Sequence, residues 1–164
     1  MKERKTSNYP PNALLRILYR IPVYFFKLGL GWMFGKRFVL FHHVGRKSGK
    51  PYQTVVEVVE IEKETGNVVI VAGYGDQTQW YKNLKKLTNT SIQIGNQKIS
   101  VSIEFIEPED GGDIIARYFD RYGKLTQELF SILGYKWDGT ERGARQIAKD
   151  HLRFVRFVPS EHST

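Results

Sequence analysis

The 164-residue chain contains no cysteine, which excludes disulfides, thiolate metal sites and cysteine nucleophiles and fits a cytoplasmic location. It has no nucleophile elbow, no HExxH motif and no pair of carboxylates spaced for acid–base work. The sequence therefore offers no self-sufficient catalytic constellation. Internal repeats, low-complexity tracts and linkers are also missing, so one domain is expected at this length. The N-terminal third is short of acids. Residues 1–50 hold eleven Lys and Arg against one acid, Glu3, whereas residues 51–164 hold fourteen against sixteen. The formal charge of +8 is thus distributed as +10 followed by −2. A basic end of this kind points to an anionic ligand, lipid headgroups or nucleic acid.

A clean apolar run is missing as well. Residues 12–34 are rich in Leu, Ile, Phe and Trp, but Arg16, Arg20 and Lys27 interrupt them. Neither a signal peptide nor a spanning helix tolerates that spacing of cations. Two short amphipathic helices are expected instead, with a kink or break at Pro22. They either pack across a core or touch a membrane surface, peripherally and on its inner face. The division expected is residues 1–35 as a basic tail with amphipathic helices, and residues 36–164 as a β-barrel domain.

What is present centres on Gly45-Arg46-Lys47-Ser48-Gly49-Lys50-Pro51. Gly45 and Gly49 tolerate backbone angles that other residues resist, so the amides between them are expected to turn toward one point. Arg46, Lys47 and Lys50 add charge there and Ser48 adds a hydroxyl. A phosphate suits such a loop; a solvated basic turn is the alternative. The stretch is not a Walker loop, because the glycine spacing is one residue short and no Gly-Lys-Ser/Thr ending follows.

An apolar strand over 38–44 leads into the loop, and β-branched runs at 53–63 and 67–72 form a hairpin after it. Residues 78–87 have helical spacing, with Thr78 as a cap and Trp80, Leu84 and Leu87 on one face. Strands at 91–94 and 98–106 flank Gly95-Asn96. Helical patterns follow at 108–122, 124–133 and 141–149, and a last strand alternates over 152–158. Six strands in hairpins with interspersed helices predict an α+β fold built on an antiparallel barrel.

The glycine loop, a hairpin ending in Ala72-Gly73-Tyr74-Gly75, and Trp80-Tyr81-Lys82-Asn83-Leu84 occur here in one order. Together they resemble the deazaflavin-dependent nitroreductase family of split β-barrel, flavin-binding oxidoreductases, over about residues 36–106. The resemblance implies an FMN-binding split-barrel-like fold with flanking helices. It also implies coenzyme F420, the 8-hydroxy-5-deazaflavin with a phosphate and glutamate tail. Arg46, Lys47 and Ser48 would hold the phosphate and acidic tail. Tyr52, Gln53, Thr54, Val55 and Glu57 would run past the coenzyme. Val71, Ala72, Gly73 and Tyr74 would line its ring, and Gln79, Trp80, Tyr81 and Asn83 would close the other side. Hydride would pass from the reduced ring to an electron-poor acceptor, a nitroaromatic, quinone or enone. By analogy with other split barrels, a homodimer is expected.

Two positions depart from the family pattern. Tyr52 stands where a second cation is common, and Glu57 where an uncharged residue is usual. FMN is therefore the alternative coenzyme. Tyr118, Tyr122 and Tyr135 are candidates for a catalytic proton donor, each also explained by ordinary packing. His42 and His43 are adjacent on a strand and so face opposite ways, and no metal site is expected. A nucleic-acid-binding barrel is disfavoured because its strands should interleave cations with aromatics, whereas these carry Glu57, Glu60, Glu62 and Glu104.

Overall fold

The computed structural model describes residues 21–161. Residues 21–27 are helical (α1), Pro22 included, and a 3-10 turn follows at Gly31–Phe34. The rest of the expected N-terminal helical stretch, residues 12–20, lies outside the described residues.

Six strands form a closed antiparallel barrel in the order β1-β2-β3-β6-β5-β4. They are β1 (Phe38–Val44), β2 (Pro51–Ile61), β3 (Val68–Ala72), β4 (Asn89–Ile94), β5 (Gln97–Ile106) and β6 (Arg153–Pro159). Alternation sends one side chain in two inward, so Val39, Phe41, Ile70, Val101, Val155 and Phe157 fill the interior. Leu40, on the opposite face of β1, is also buried, because Val23 and Phe26 of α1 cover it together with Phe34 and Val55. A second apolar layer lies outside β2, β3 and β6. There α3 (Pro108–Ile132) and α4 (Glu141–His151) bury Val59, Val69 and Phe154 under Ile115 and Phe130. The expected split-barrel architecture with flanking helices is what the chain forms.

One mismatch of strand length positions the site. β2 pairs with β1 from Pro51 to Glu57, but with β3 only from Val58 onward, with a bulge between Val58 and Glu60. The second edge of β2 between Pro51 and Glu57 therefore has no strand partner among the described residues. β3 instead turns away through a 3-10 turn (Gly75–Gln77) into α2 (Gln79–Leu84), which plugs the barrel end. Tyr81 and Leu84 enter the core, and Trp80 meets Phe41 edge-on at 5.2 Å.

Strand and helix limits fall close to the expected ones. β2 begins two residues earlier than expected because Pro51 and Tyr52 already pair with Val44 and His43. The two helices expected over 108–133 are two arms of α3, joined at a break where Tyr122 leaves helical geometry (φ −132°, ψ 35°). Thr78 stands at the N-cap of α2 but its hydroxyl caps nothing; it is buried without a partner.

Gly75 is required twice over. Its φ is +59°, and a Cβ there would strike the carbonyl oxygen of His151 at the end of α4. Gly75→Ala is expected to lower stability by about 2–3 kcal/mol, from backbone strain and displaced backbone, with thermal unfolding as the measurement.

Candidate functional site

The site is built on the β1–β2 hairpin loop. Gly45 N–H donates to the Lys50 carbonyl at 2.9 Å, Gly49 N–H to the Gly45 carbonyl at 2.8 Å, and Lys50 N–H to Ser48 Oγ at 3.3 Å. Gly49 has φ +69°, and a Cβ on Gly45 would strike Ser48 Oγ and approach the Tyr52 ring to 3.0 Å. The glycines thus serve closure of the loop. This corrects the expectation of amides converging on one point: most are spent internally or, for Arg46, on Asn83. Only the amides of Lys47 and Ser48 lack a partner among the described residues, which leaves those two and the loop's side chains to meet a ligand.

Arg46 ties the loop to α2. Its amide and its Nη1 donate to Asn83 Oδ1 at 3.2 and 3.0 Å, and its Nη2 donates to Gln79 Oε1 at 2.9 Å. The Asn83 Nδ2 group faces His43 Nδ1 at 3.1 Å, and His43 Nε2 lies 2.8 Å from Thr54 Oγ1. The His43 ring stacks on Tyr52, with centroids 5.6 Å apart. Burial, and secondarily the neighbouring His42, pushes the His43 pKa down to about 4. Lys47 and Lys50 are exposed, and none of the ion pairs among the described residues involves Arg46, Lys47 or Lys50. The result is a cationic loop with no carboxylate partner, anchored through Asn83 to a buried neutral imidazole.

The structure sorts the expected site residues into several groups. Arg46, Tyr52, Thr54, Gln79 and Asn83 come together around His43, with Lys47 and Ser48 on the loop above. Gln53 points to the opposite face of β2, where its amide reaches His42 Nε2 at 3.4 Å. Val55 packs under α1 in the Val23–Phe26–Leu40 cluster, so it cannot run past a ligand on the Thr54 side. Ala72 is fully buried in the barrel, and the open side of Gly73 is filled by Leu133, whose Cδ2 lies 2.6 Å from where a Cβ would be. Val71 faces the α3–α4 layer. The flat wall expected at 71–73 is therefore covered, and Tyr74, after it, is half-buried. Tyr81 is only 3% exposed and belongs to the barrel core, and Trp80 packs against that core rather than standing free.

The tyrosines stand apart from this group. Tyr118 donates its hydroxyl to Glu57 Oε1 at 3.0 Å, and Arg37 lies 3.9 Å from the same carboxylate. Burial, then the Glu57 charge, raises the Tyr118 phenol far above its ordinary range, which makes it a poor acid. Tyr122 packs on Tyr118 at the α3 break. Glu57 lies six residues along β2 from Pro51, roughly 20 Å at strand rise. Tyr135 donates to the Gly73 carbonyl at 2.7 Å and stacks on His151. Among the described residues no group of three or more His, Asp or Glu is placed to hold a metal.

His43 is the site residue that the sequence did not single out. Its signal was the inward phase of β1 directly before the glycine loop. Because its folded pKa lies below the unfolded value of about 6.5, it favours the fold above that pH. Stability should fall as the pH drops from 6.5 toward 4, by up to about 3 kcal/mol, and the loss should shrink in His43→Gln. Chemical denaturation at stepped pH, with the imidazole followed by NMR, reads both.

Comparison with known proteins adds the family. The model of the F420H(2)-dependent quinone reductase family matches residues 25–127. Rv3178 of Mycobacterium tuberculosis, named as an F420H(2)-dependent quinone reductase, is 31% identical over 99 residues, covering 58% of this chain and 81% of that protein. Among solved structures, Atu2129 of Agrobacterium tumefaciens, of unknown function, superposes with a TM-score of 0.52 at 16% identity, over 86% of this chain and 56% of the other. An F420-H2 dependent reductase, FDR-A, gives a TM-score of 0.48 at 23% identity, over 74% and 95%. With the family model spanning the barrel from α1 to α3, the chain belongs to the F420H(2)-dependent quinone reductase family and is an F420-dependent oxidoreductase.

Proposed function

We propose that the protein reduces a quinone with F420H2, holding the acidic tail of the coenzyme on the Gly45–Gly49 loop. The observation that carries this is the loop's charge. Arg46 is fixed between the hairpin and α2, Lys47 and Lys50 are open to solvent, and no carboxylate among the described residues neutralises them. That donor set fits a phosphate with glutamates attached. The wall expected for the ring fits less well, since Leu133 covers Gly73. When bound, the coenzyme supplies a hydride and a proton, which convert a quinone to its hydroquinone. The chain's part is to hold the tail at Arg46, Lys47 and Lys50 and to line the free edge of β2 with Tyr52 and Thr54. Nitroaromatics and enones share the electron-poor character of quinones and are the further acceptors to screen.

Fluorescence titration with F420, run beside FMN, tests the reading. Saturable F420 binding is expected, and Arg46→Ala and Lys47→Ala should each weaken it by about 1.5–3 kcal/mol per charged hydrogen bond lost. Unchanged affinity in both variants would remove the loop as the anion site, and binding of FMN alone would change the coenzyme.

Contact with a membrane surface on its cytoplasmic side is part of the same proposal, because many quinones dissolve in lipid. Tyr24, Leu28, Trp32 and Met33 are 57–74% exposed beside Lys27 and Lys36, an apolar ridge with cations and no acid. No helix among the described residues is long and apolar enough to cross a membrane, so any contact there would be peripheral. Sedimentation with anionic vesicles is expected to drop sharply in Leu28→Asp with Trp32→Ala. Equal pelleting of variant and parent would exclude this ridge.

A further inference from the structure

The network beneath the loop has a fixed direction. Arg46 can only donate, through its amide and its guanidinium, so the Asn83 atom that it meets is the side-chain carbonyl oxygen. The Asn83 NH2 group is thereby turned to His43 Nδ1, at 3.1 Å. A ring nitrogen facing an NH2 group must be the unprotonated one. Neutral His43 then carries its proton on Nε2, which donates to Thr54 Oγ1 at 2.8 Å. Donors and acceptors run one way, from Arg46 through Asn83 and His43 to Thr54. The last proton in the chain, on Thr54 Oγ1, has no acceptor among the described residues.

Thr54 is half-buried on β2, in the segment that β3 leaves unpaired and on the face shared with Tyr52 and His43. We propose that this one-way chain leaves the Thr54 hydroxyl proton free to be donated to an oxygen of the bound coenzyme. Thr54 is then a specificity-determining contact, and His43 and Asn83 are positioning residues behind it. The proposal rests on the coenzyme reading given above. Three features support it. A protonated His43 would set Nδ1–H against the Asn83 NH2 group, and burial of the ring opposes that charge. Consecutive hydrogen bonds polarise one another, so the Arg46 charge at the head of the chain strengthens donation at its end. Because Thr54 Oγ1 already accepts from His43 Nε2, its own proton must turn away from the ring, where a ligand acceptor can meet it.

The test combines affinity with a direct view of the proton. In the full-length protein, Thr54→Val should weaken F420 binding roughly tenfold, while Thr54→Ser, which keeps the hydroxyl, should stay within about threefold of the parent. Long-range 15N–1H spectra of the parent should show His43 as the Nε2–H tautomer at neutral pH. Thr54→Val binding as tightly as the parent would overturn the proposal and leave the coenzyme reading intact. An Nδ1–H tautomer would overturn it too, even if Thr54→Val does not fold. A parent protein that binds no F420 would overturn both readings together.

Discussion

The side-chain amide of Asn83 is the interaction on which the site depends. One oxygen takes two hydrogen bonds from Arg46, and one nitrogen meets a buried imidazole. Through it the plug helix α2 and the β1–β2 hairpin, some forty residues apart in sequence, become one body. An amide can do this because it offers an acceptor and a donor on opposite sides of a short, stiff stem. Aspartate would supply a second acceptor where His43 needs a donor, and leucine would leave three buried or half-buried polar partners without bonds. The cationic loop is closed by its own backbone and fixed against α2 by this amide.

A closed barrel normally uses every strand edge. Here β2 is eleven residues long and β3 five, and their pairing runs only over Val58 to Ile61, with a bulge between Val58 and Glu60. The unpaired stretch of β2 is tolerated because neighbouring elements come close to it without replacing a strand. Tyr118 of α3 bonds Glu57 at one end, and α2 stands near the loop at the other. An edge left open between two covered ends is an elongated site, and its length follows from the mismatch of two strands rather than from any loop.

How much of this was legible in the sequence depends on the range of the forces involved. The strands were, because β-branched alternation is a local property: Val68–Ala72 and Arg153–Pro159 stand almost where the pattern puts them. The inward phase of His43 was legible for the same reason. The meaning of the glycines was not. Gly45 is needed because Ser48 Oγ and the Tyr52 ring fill the space beside it, and such crowding leaves the same sequence mark as an anion cradle. The small residues at 72–73 misled similarly. They look like room for a flat ring, but Leu133, sixty residues on, takes the room at Gly73. The resemblance placed Tyr81 beside the coenzyme, yet its ring lies against Phe105 in the barrel core, where burial of the aromatic body outweighs the hydroxyl.

The distribution of ion pairs gives the loop's charge its meaning. Arg37, Arg117, Arg145, Arg153 and Arg156 each meet a carboxylate, and Arg145 and Arg156 each meet two. Those pairs lie where helices and strands must be joined, and being largely exposed they add little each. The loop cations form no such pair, although the acids of residues 51–164 slightly outnumber the cations there. Cations left near one another repel, and that repulsion opposes folding without any compensating contact. A chain with enough carboxylates to neutralise its cations elsewhere, but none paired with this loop among the described residues, has the charge distribution that the proposed binding of an anionic coenzyme tail calls for.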